Sequence, residues 1–488
     1  MEIISPRSSR AQATNVKLHD HFLFTPTAFF TWGLAASYYM VEYACVSIII
    51  TFYTEKAMEN KLADAAILVC VQEGLTSFAA VVLARFTGER SGRRFYAIVL
   101  STALYIAGVI ILWSYANYTS HQKPENQEHN VPLFWVVSCL LAIGKGVSDP
   151  VLKSFLEHNL CASSAERTSL TKREEIYKNI WVHSTWIVGA IIAIFGFLGL
   201  EWPPVLKVSL IVIVPSSLLF LFGGSTSTTK PMGRCVSLHK NATTVTKRGR
   251  NMKWLLMFSC TAYSLVLGAG NIFFQEQGTK MKDLKIKKKK VRFSFMTVIK
   301  VAVNEITVLI FWLCGANKKQ GISLLRIGSG MVCAIICCVV AWKVEIDRNK
   351  VANEEDSNKT SVAWLSPHYV LLGLVEGLAQ SGLEELFGND NENQTMRNPG
   401  KISKDMVSCV GKFLGIPCIL IVRRWFDKFD EDQAHLDRFY LMLGILSCVF
   451  FCIYLGVAFV YMKVNNVSSD AEDEGNNDIS NRVHVEST

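Results

Sequence analysis

Leu371–Gly377 reads LLGLVEG, an apolar run with a single carboxylate, Glu376, at its centre. Followed outward, the run extends over about 364–388, close to the ~20 residues a helix needs to cross a bilayer. A charge held in hydrocarbon costs at least about 2.5 kcal/mol, so it faces a water-filled cavity or a partner and marks an ion or solute route. This one stretch predicts a membrane-spanning helix that lines such a route.

The rest of the chain repeats the pattern. Apolar runs of spanning length lie at about 29–54, 63–86, 95–115, 131–152, 180–200, 204–223, 254–275, 293–314, 322–343, 364–388, 403–424 and 439–463. Half of the 488 residues are hydrophobic and the mean hydropathy is +0.26. A soluble chain of this length would show periodic apolar stripes instead of continuous runs. The expected fold class is therefore an all-α membrane protein with about twelve transmembrane helices in two six-helix bundles.

The expected boundaries are a cytosolic N-terminus (1–28), a first bundle (29–223), a basic cytosolic linker (224–253), a second bundle (254–463) and an acidic disordered tail (464–488). The linker holds Lys230, Arg234, Lys240, Lys247, Arg248 and Arg250, the tail too few apolar residues to fold alone. MEIISPRSSRAQ at the N-terminus has no apolar signal core, so the first span is expected to act as an uncleaved anchor.

Net charge is +9, but Lys and Arg concentrate in short connections between spans, where membrane topology places them, which argues against nucleic-acid binding. The patches Arg85/Arg90/Arg93/Arg94 and Lys172/Arg173 share the cytosolic side with the linker. One loop breaks the rule: Lys280, Lys282, Lys285, Lys287, Lys288, Lys289, Lys290 and Arg292 fall on the opposite face. Late loops are often overridden by earlier topology signals; a misplaced span boundary, or a basic loop that binds something in a lumen, is the alternative. Sequons at Asn117, Asn241, Asn358, Asn393 and Asn466 fall on both sides and decide nothing. Cys45, Cys70, Cys139, Cys337 and Cys418 sit inside spans as small hydrophobes. No Cys/His spacing proposes a metal site, and HExxH and GxSxG are absent, so no cofactor and no enzyme activity is expected.

Gly88–Arg94 (GERSGRR) resembles the acidic-x-x-Gly-Arg-Arg loop of the major facilitator superfamily, in which Glu89, Arg93 and Arg94 would latch helix ends in one state of a rocking cycle. The sequence SPHYVLLGLVEGLAQSGLEELF (Ser366–Phe387), followed by QTMRNPG (Gln394–Gly400), is similar to the tenth span and following loop of the proton-dependent oligopeptide transporter family, in its plant nitrate and peptide branch. AIGKGVSDP (Ala142–Pro150), FFQEQG (Phe273–Gly278) and HLDRFYLMLGIL (His435–Leu446) resemble that family's fourth, seventh and twelfth spans, in the same order. The resemblance implies a major facilitator fold and proton-coupled symport of nitrate, short peptides or other small organic anions, across the plasma or vacuolar membrane. The implied partners are the lipid bilayer, a small-molecule or anion substrate and protons.

Departures bear on mechanism. The family's first span carries Glu-x-x-Glu-Arg; Tyr38–Glu42 (YYMVE) stands there, without those acids and with an acid in place of the arginine. Asp149 stands where the family has a lysine before proline, and the seventh-span histidine has no counterpart between Trp254 and Phe274. Lys145 and Asp149, four residues apart, share a helix face. With Glu42 and Glu376 they are expected either to form a substrate- or proton-binding cluster or, as a pair, to neutralise each other. Lys300 and Glu305 read as structural, with Lys300 snorkelling from a span end. Glu73 and Lys412 fit either a cavity or helix packing, and His183 and His368, near span ends, read as interfacial. Tyr38, Tyr39, Trp364 and Tyr369 fit a cavity or an aromatic belt. Loss of the first-span acids leaves a second class open: a non-transporting sensor or partner subunit built on the same fold.

Overall fold

The computed structural model describes residues 26–54, 61–86, 91–120, 130–161, 172–197, 202–224, 247–279, 281, 284–286, 289–291, 294–314, 320–353, 361–388, 399–426 and 435–485. The helices are α1 Pro26–Phe52, α2 Leu62–Phe86, α3 Ser91–Ser120, α4 Val131–Cys161, α5 Lys172–Phe197, α6 Trp202–Gly224, α7 Lys247–Ser259 and α8 Thr261–Thr279. After them come α9 Ser294–Leu313, α10 Gln320–Asn353, α11 Ser366–Val375, α12 Ser381–Gly388, α13 Pro399–Phe426 and α14 Leu436–Val485. Among the described residues, ten segments are long and apolar enough to cross a membrane. The 27-residue α1 and the 26-residue α5 occupy the two further span positions read from the sequence. In hydrocarbon every backbone polar group must be satisfied within the segment, which is why these runs are helical.

Two spans are not simple rods. The one expected at 254–275 is interrupted at Cys260, where α7 gives way to α8. The one expected at 364–388 starts with a 3-10 turn, Val362–Leu365, and is broken by a π-helical turn, Glu376–Gln380, between α11 and α12. A π turn inserts a residue into the helical ladder and re-aims the side chains beside it, and such turns are frequent at functional sites. After α8, β1 Leu284–Ile286 pairs antiparallel with β2 Lys289–Val291, Leu284 opposite Val291. α14 continues to Val485, through the stretch whose composition predicts a disordered tail. Once a helix is nucleated each added residue gains a hydrogen bond, so a long apolar helix carries polar sequence along with it.

The chain divides into two compact units. The first comprises residues 1–60, 75–240 and 283–298, the second 61–74, 241–282 and 299–488. α2 therefore contributes Leu62–Gly74 to the second unit and its remainder to the first, a division the span pattern does not show.

In the first unit α1 packs on α5 and α6, and α3 on α4. Glycines set the close approaches. A Cβ on Gly144 would lie 2.7 Å from that of Tyr105, and one on Gly189 would lie 2.8 Å from that of Tyr39. Phe52, Tyr53, Tyr115 and Phe134 pack edge-to-face or tilted against one another at one end, and Trp32 donates its indole N–H to Ser184 at 2.8 Å.

In the second unit α10 packs on α14 and α11, α8 on α13, and α12 on α13. Phe273, Phe426 and Phe439 form its aromatic centre. Here too glycines decide the spacing. A Cβ on Gly373 would lie 2.8 Å from that of Val303, and one on Gly377 2.8 Å from that of Thr307. Small residues four apart let two membrane helices touch backbone to backbone. The glycines around Glu376 thus seat α9 directly against it.

Candidate functional site

Each unit holds a polar group inside its spans. In the first, α1 supplies Tyr38, Tyr39 and Glu42, α3 supplies Ser101, Thr102 and Tyr105, and α4 supplies Lys145, Ser148 and Asp149. Lys145 Nζ lies 2.7 Å from the Glu42 carboxylate. Tyr39 donates its hydroxyl to Asp149 Oδ1 at 2.9 Å. The Tyr38 hydroxyl lies 2.7 Å from Ser148 Oγ, which lies 2.6 Å from Ser101 Oγ, and the Tyr38 ring stacks on Tyr105. Lys145 and Asp149 do share a helix face, but each reaches across to its own residue on α1. At the two positions where the resembling family carries first-span glutamates stand Tyr38 and Val41, both buried and uncharged.

In the second unit Glu376 opens the π turn, and Lys300 of α9 reaches it at 3.1 Å. Lys300 Nζ also donates to Asn271 Oδ1 of α8 at 3.1 Å. Asn271 Nδ2 donates to Glu73 Oε1 of α2 at 3.4 Å, and Glu73 Oε2 lies 3.5 Å from Lys412 Nζ of α13. The result is a chain, Glu376–Lys300–Asn271–Glu73–Lys412, of two acids and two bases joined through one amide and drawn from five helical elements. The side chain of Lys300 is 12 % exposed and that of Glu376 26 %, so the pair is largely withdrawn from solvent.

Set against the sequence expectations, the structure brings Glu42, Lys145 and Asp149 together in the first unit, while Glu376 lies in the second, beside Lys300. Lys300 is not a snorkelling or purely local residue: its charge turns inward to Glu376. Asn271 was missed because a neutral amide carries no charge signal in an apolar run. Glu73 and Lys412 pair with each other.

His368 is fully buried within the protein, its ring edge-on to Phe274 at 4.8 Å. Of the cavity-or-belt aromatics, Tyr38 and Tyr369 are buried and Trp364 is exposed. Of the expected latch, Arg93 is exposed and Arg94 buried at the start of α3; Glu89 lies outside the described residues.

Two further polar clusters in the second unit fasten helices. Arg326 on α10 pairs with Glu385 and donates to Ser381, with its guanidinium 4.2 Å over the Phe311 ring. Arg348 grips Glu345 through two hydrogen bonds, and Gln277 donates to the same carboxylate at 2.7 Å.

Comparison with known proteins fits this architecture. No family model matches the chain. The protein NRT1/PTR FAMILY 5.11 of Arabidopsis thaliana is 24% identical over 488 residues, covering 85% of this chain and 89% of that protein. NRT1/PTR FAMILY 5.10 of the same plant is 30% identical over 234 residues, 43% of this chain and 41% of that protein. Along most of its length the chain is thus similar to the plant NRT1/PTR family proteins. Solved structures agree on the fold: an auto-inhibited POT family peptide transporter superposes with a TM-score of 0.64 at 13% identity, covering 90% of this chain and 97% of that one. A POT family transporter in complex with 5-aminolevulinic acid superposes with a TM-score of 0.65 at 12% identity, over 89% and 96%. The chain therefore has the fold of these multi-pass membrane proteins, the major facilitator fold.

Proposed function

We propose that this chain is a proton-coupled secondary transporter of small polar solutes in which Glu376 carries the coupling proton. The observation behind the reading is the Glu376–Lys300 pair, held at 3.1 Å inside a span and at a π turn. A carboxylate in that position attracts Lys300; protonated, it loses the attraction and keeps only a hydrogen bond. Lys300 then rests on Asn271, and α9 is released from the turn. Coupling follows if solute binding and proton binding both loosen the same pair during rocking of the bundles.

Nitrate, short peptides and other small organic anions are the candidate substrates, in line with the names of the relatives and with the 5-aminolevulinic acid held by one structural neighbour. Lys145, Glu42 and Asp149 supply the second group of charges available to a substrate. With Glu89, Arg93 and Arg94 are the residues we read as a conformational latch. The plasma or vacuolar membrane is the expected site, testable by localising a tagged chain.

A second reading, a non-transporting sensor or partner subunit, is favoured by one observation: the neutral Tyr38 and Val41 in place of first-span acids. An uptake screen in oocytes with nitrate, dipeptides and plant hormones at two pH values separates the two. Uptake that rises at the lower external pH supports the transporter; silence in correctly targeted protein supports the sensor.

A further inference from the structure

Asp149 is a carboxylate that is exposed although it lies well inside the span Val131–Glu157. An ionised group at that depth faces a water-filled cavity or a cationic partner. Among the described residues no cation pairs with it. Its hydrogen-bond partner is the neutral Tyr39 hydroxyl, on Oδ1. Lys145, one turn away, is engaged with Glu42 at 2.7 Å. Two acids against one base leave the group with a net negative charge, and it resides on Asp149. A carboxylate has about four acceptor sites, and among the described residues no donor is recorded on its second oxygen.

We propose that Asp149, oriented by Tyr39, anchors the ammonium or guanidinium end of the transported solute. The inference rests on the transport reading and narrows it: the preferred substrates carry a positively charged group, and nitrate and simple carboxylates are disfavoured. Like charge at Asp149 repels an anion, whereas a cation forms a charge-assisted hydrogen bond there without displacing Lys145 from Glu42. In the resembling family a lysine stands at this position, so the polarity of this half of the site is inverted. Tyr39 fixes the carboxylate in one orientation, and Gly189, packed on the Tyr39 Cβ, fixes Tyr39.

The test uses the purified full-length chain in proteoliposomes, with a matched panel of amino acids, dipeptides and small amines, their N-acetyl derivatives, and nitrate. Thermal stabilisation of the detergent-solubilised protein by the same compounds supplies a reading of binding independent of transport. The expected result is a preference of about tenfold or more for amine-bearing compounds over their N-acetyl forms, corresponding to one good charged contact. Asp149→Asn removes that preference, Asp149→Lys shifts it towards the anions, and Tyr39→Phe weakens it less than Asp149→Asn.

Preference for nitrate or the N-acetyl forms, or an unaltered preference in Asp149→Asn, overturns the anchor while leaving transport standing. Stabilisation by amines that Asp149→Asn abolishes, without uptake of any compound, supports the anchor and removes the transport reading. Neither uptake nor stabilisation by any compound contradicts both.

Discussion

Lys300 Nζ lies 3.1 Å from the Glu376 carboxylate, joining α9 to the π turn between α11 and α12 within the second unit. A buried pair of this kind contributes less to stability than to making the two helices depend on one another: removing one partner leaves an uncompensated charge. For a fully buried pair the loss is about 3–5 kcal/mol. With partial exposure of Glu376, Lys300→Met is expected to cost about 1–3 kcal/mol. The double variant Lys300→Met/Glu376→Gln is expected to recover most of it. A thermal-melt double-mutant cycle reads the coupling, and additive losses exclude it.

The glycines that seat α9 against the turn give a second prediction. A Cβ on Gly377 would lie 2.8 Å from the Thr307 Cβ and 2.9 Å from the Asn304 carbonyl oxygen, which is backbone and cannot swing away. Gly377→Ala should therefore cost about 1–3 kcal/mol through overpacking and lengthen the Lys300–Glu376 contact. A lowered melting temperature together with lost pH response of uptake is expected; a melting temperature equal to wild type counts against this packing.

Asn271 links the two ion pairs, accepting from Lys300 and donating to Glu73. Asn271→Leu keeps the branched shape but removes the amide that joins Glu73 to Lys300, at about 1–3 kcal/mol for the lost contacts. Uptake is expected to fall with the pH profile displaced, while Asn271→Gln, which keeps the amide, retains more activity. Equal uptake in Asn271→Leu and wild type would show that the chain of contacts has no role in transport.

Glu345 is fully buried and bound by Arg348 and Gln277. Glu345→Ala strands the Arg348 guanidinium, so a loss of about 3–5 kcal/mol is expected. The pH profile of whatever protein still folds should be unchanged, which separates this fastener from the Glu376 pair. A displaced profile would place Glu345 in the coupling route instead.

The helical membrane fold was legible because apolar runs of spanning length admit few alternatives, and Glu376 stood out as a charge in the middle of one. Its partner did not. Lys300 was judged against Glu305, its neighbour in sequence, whereas the carboxylate it meets is on another span, a relation that spacing along one helix cannot express. The pair Gly373 and Gly377 was the available signal, since small residues four apart mark a helix contact. Spacing puts Lys145 and Asp149 on one helix face, but which residues of α1 they reach depends on helix rotation, which apolar runs do not specify. The interruption at Cys260 was hidden because the apolar run continues straight through it.

The most direct test of the coupling role of Glu376 is uptake by proteoliposomes across a range of external pH, comparing wild type with Glu376→Gln, with protein content and orientation matched. A carboxyl that must bind a proton works best below its titration and fails above it, so wild-type uptake is predicted to fall as external pH rises. Gln cannot titrate, and the variant is predicted to show either no uptake or uptake that is flat across pH. Uptake by Glu376→Gln with the same pH dependence as wild type would contradict the account.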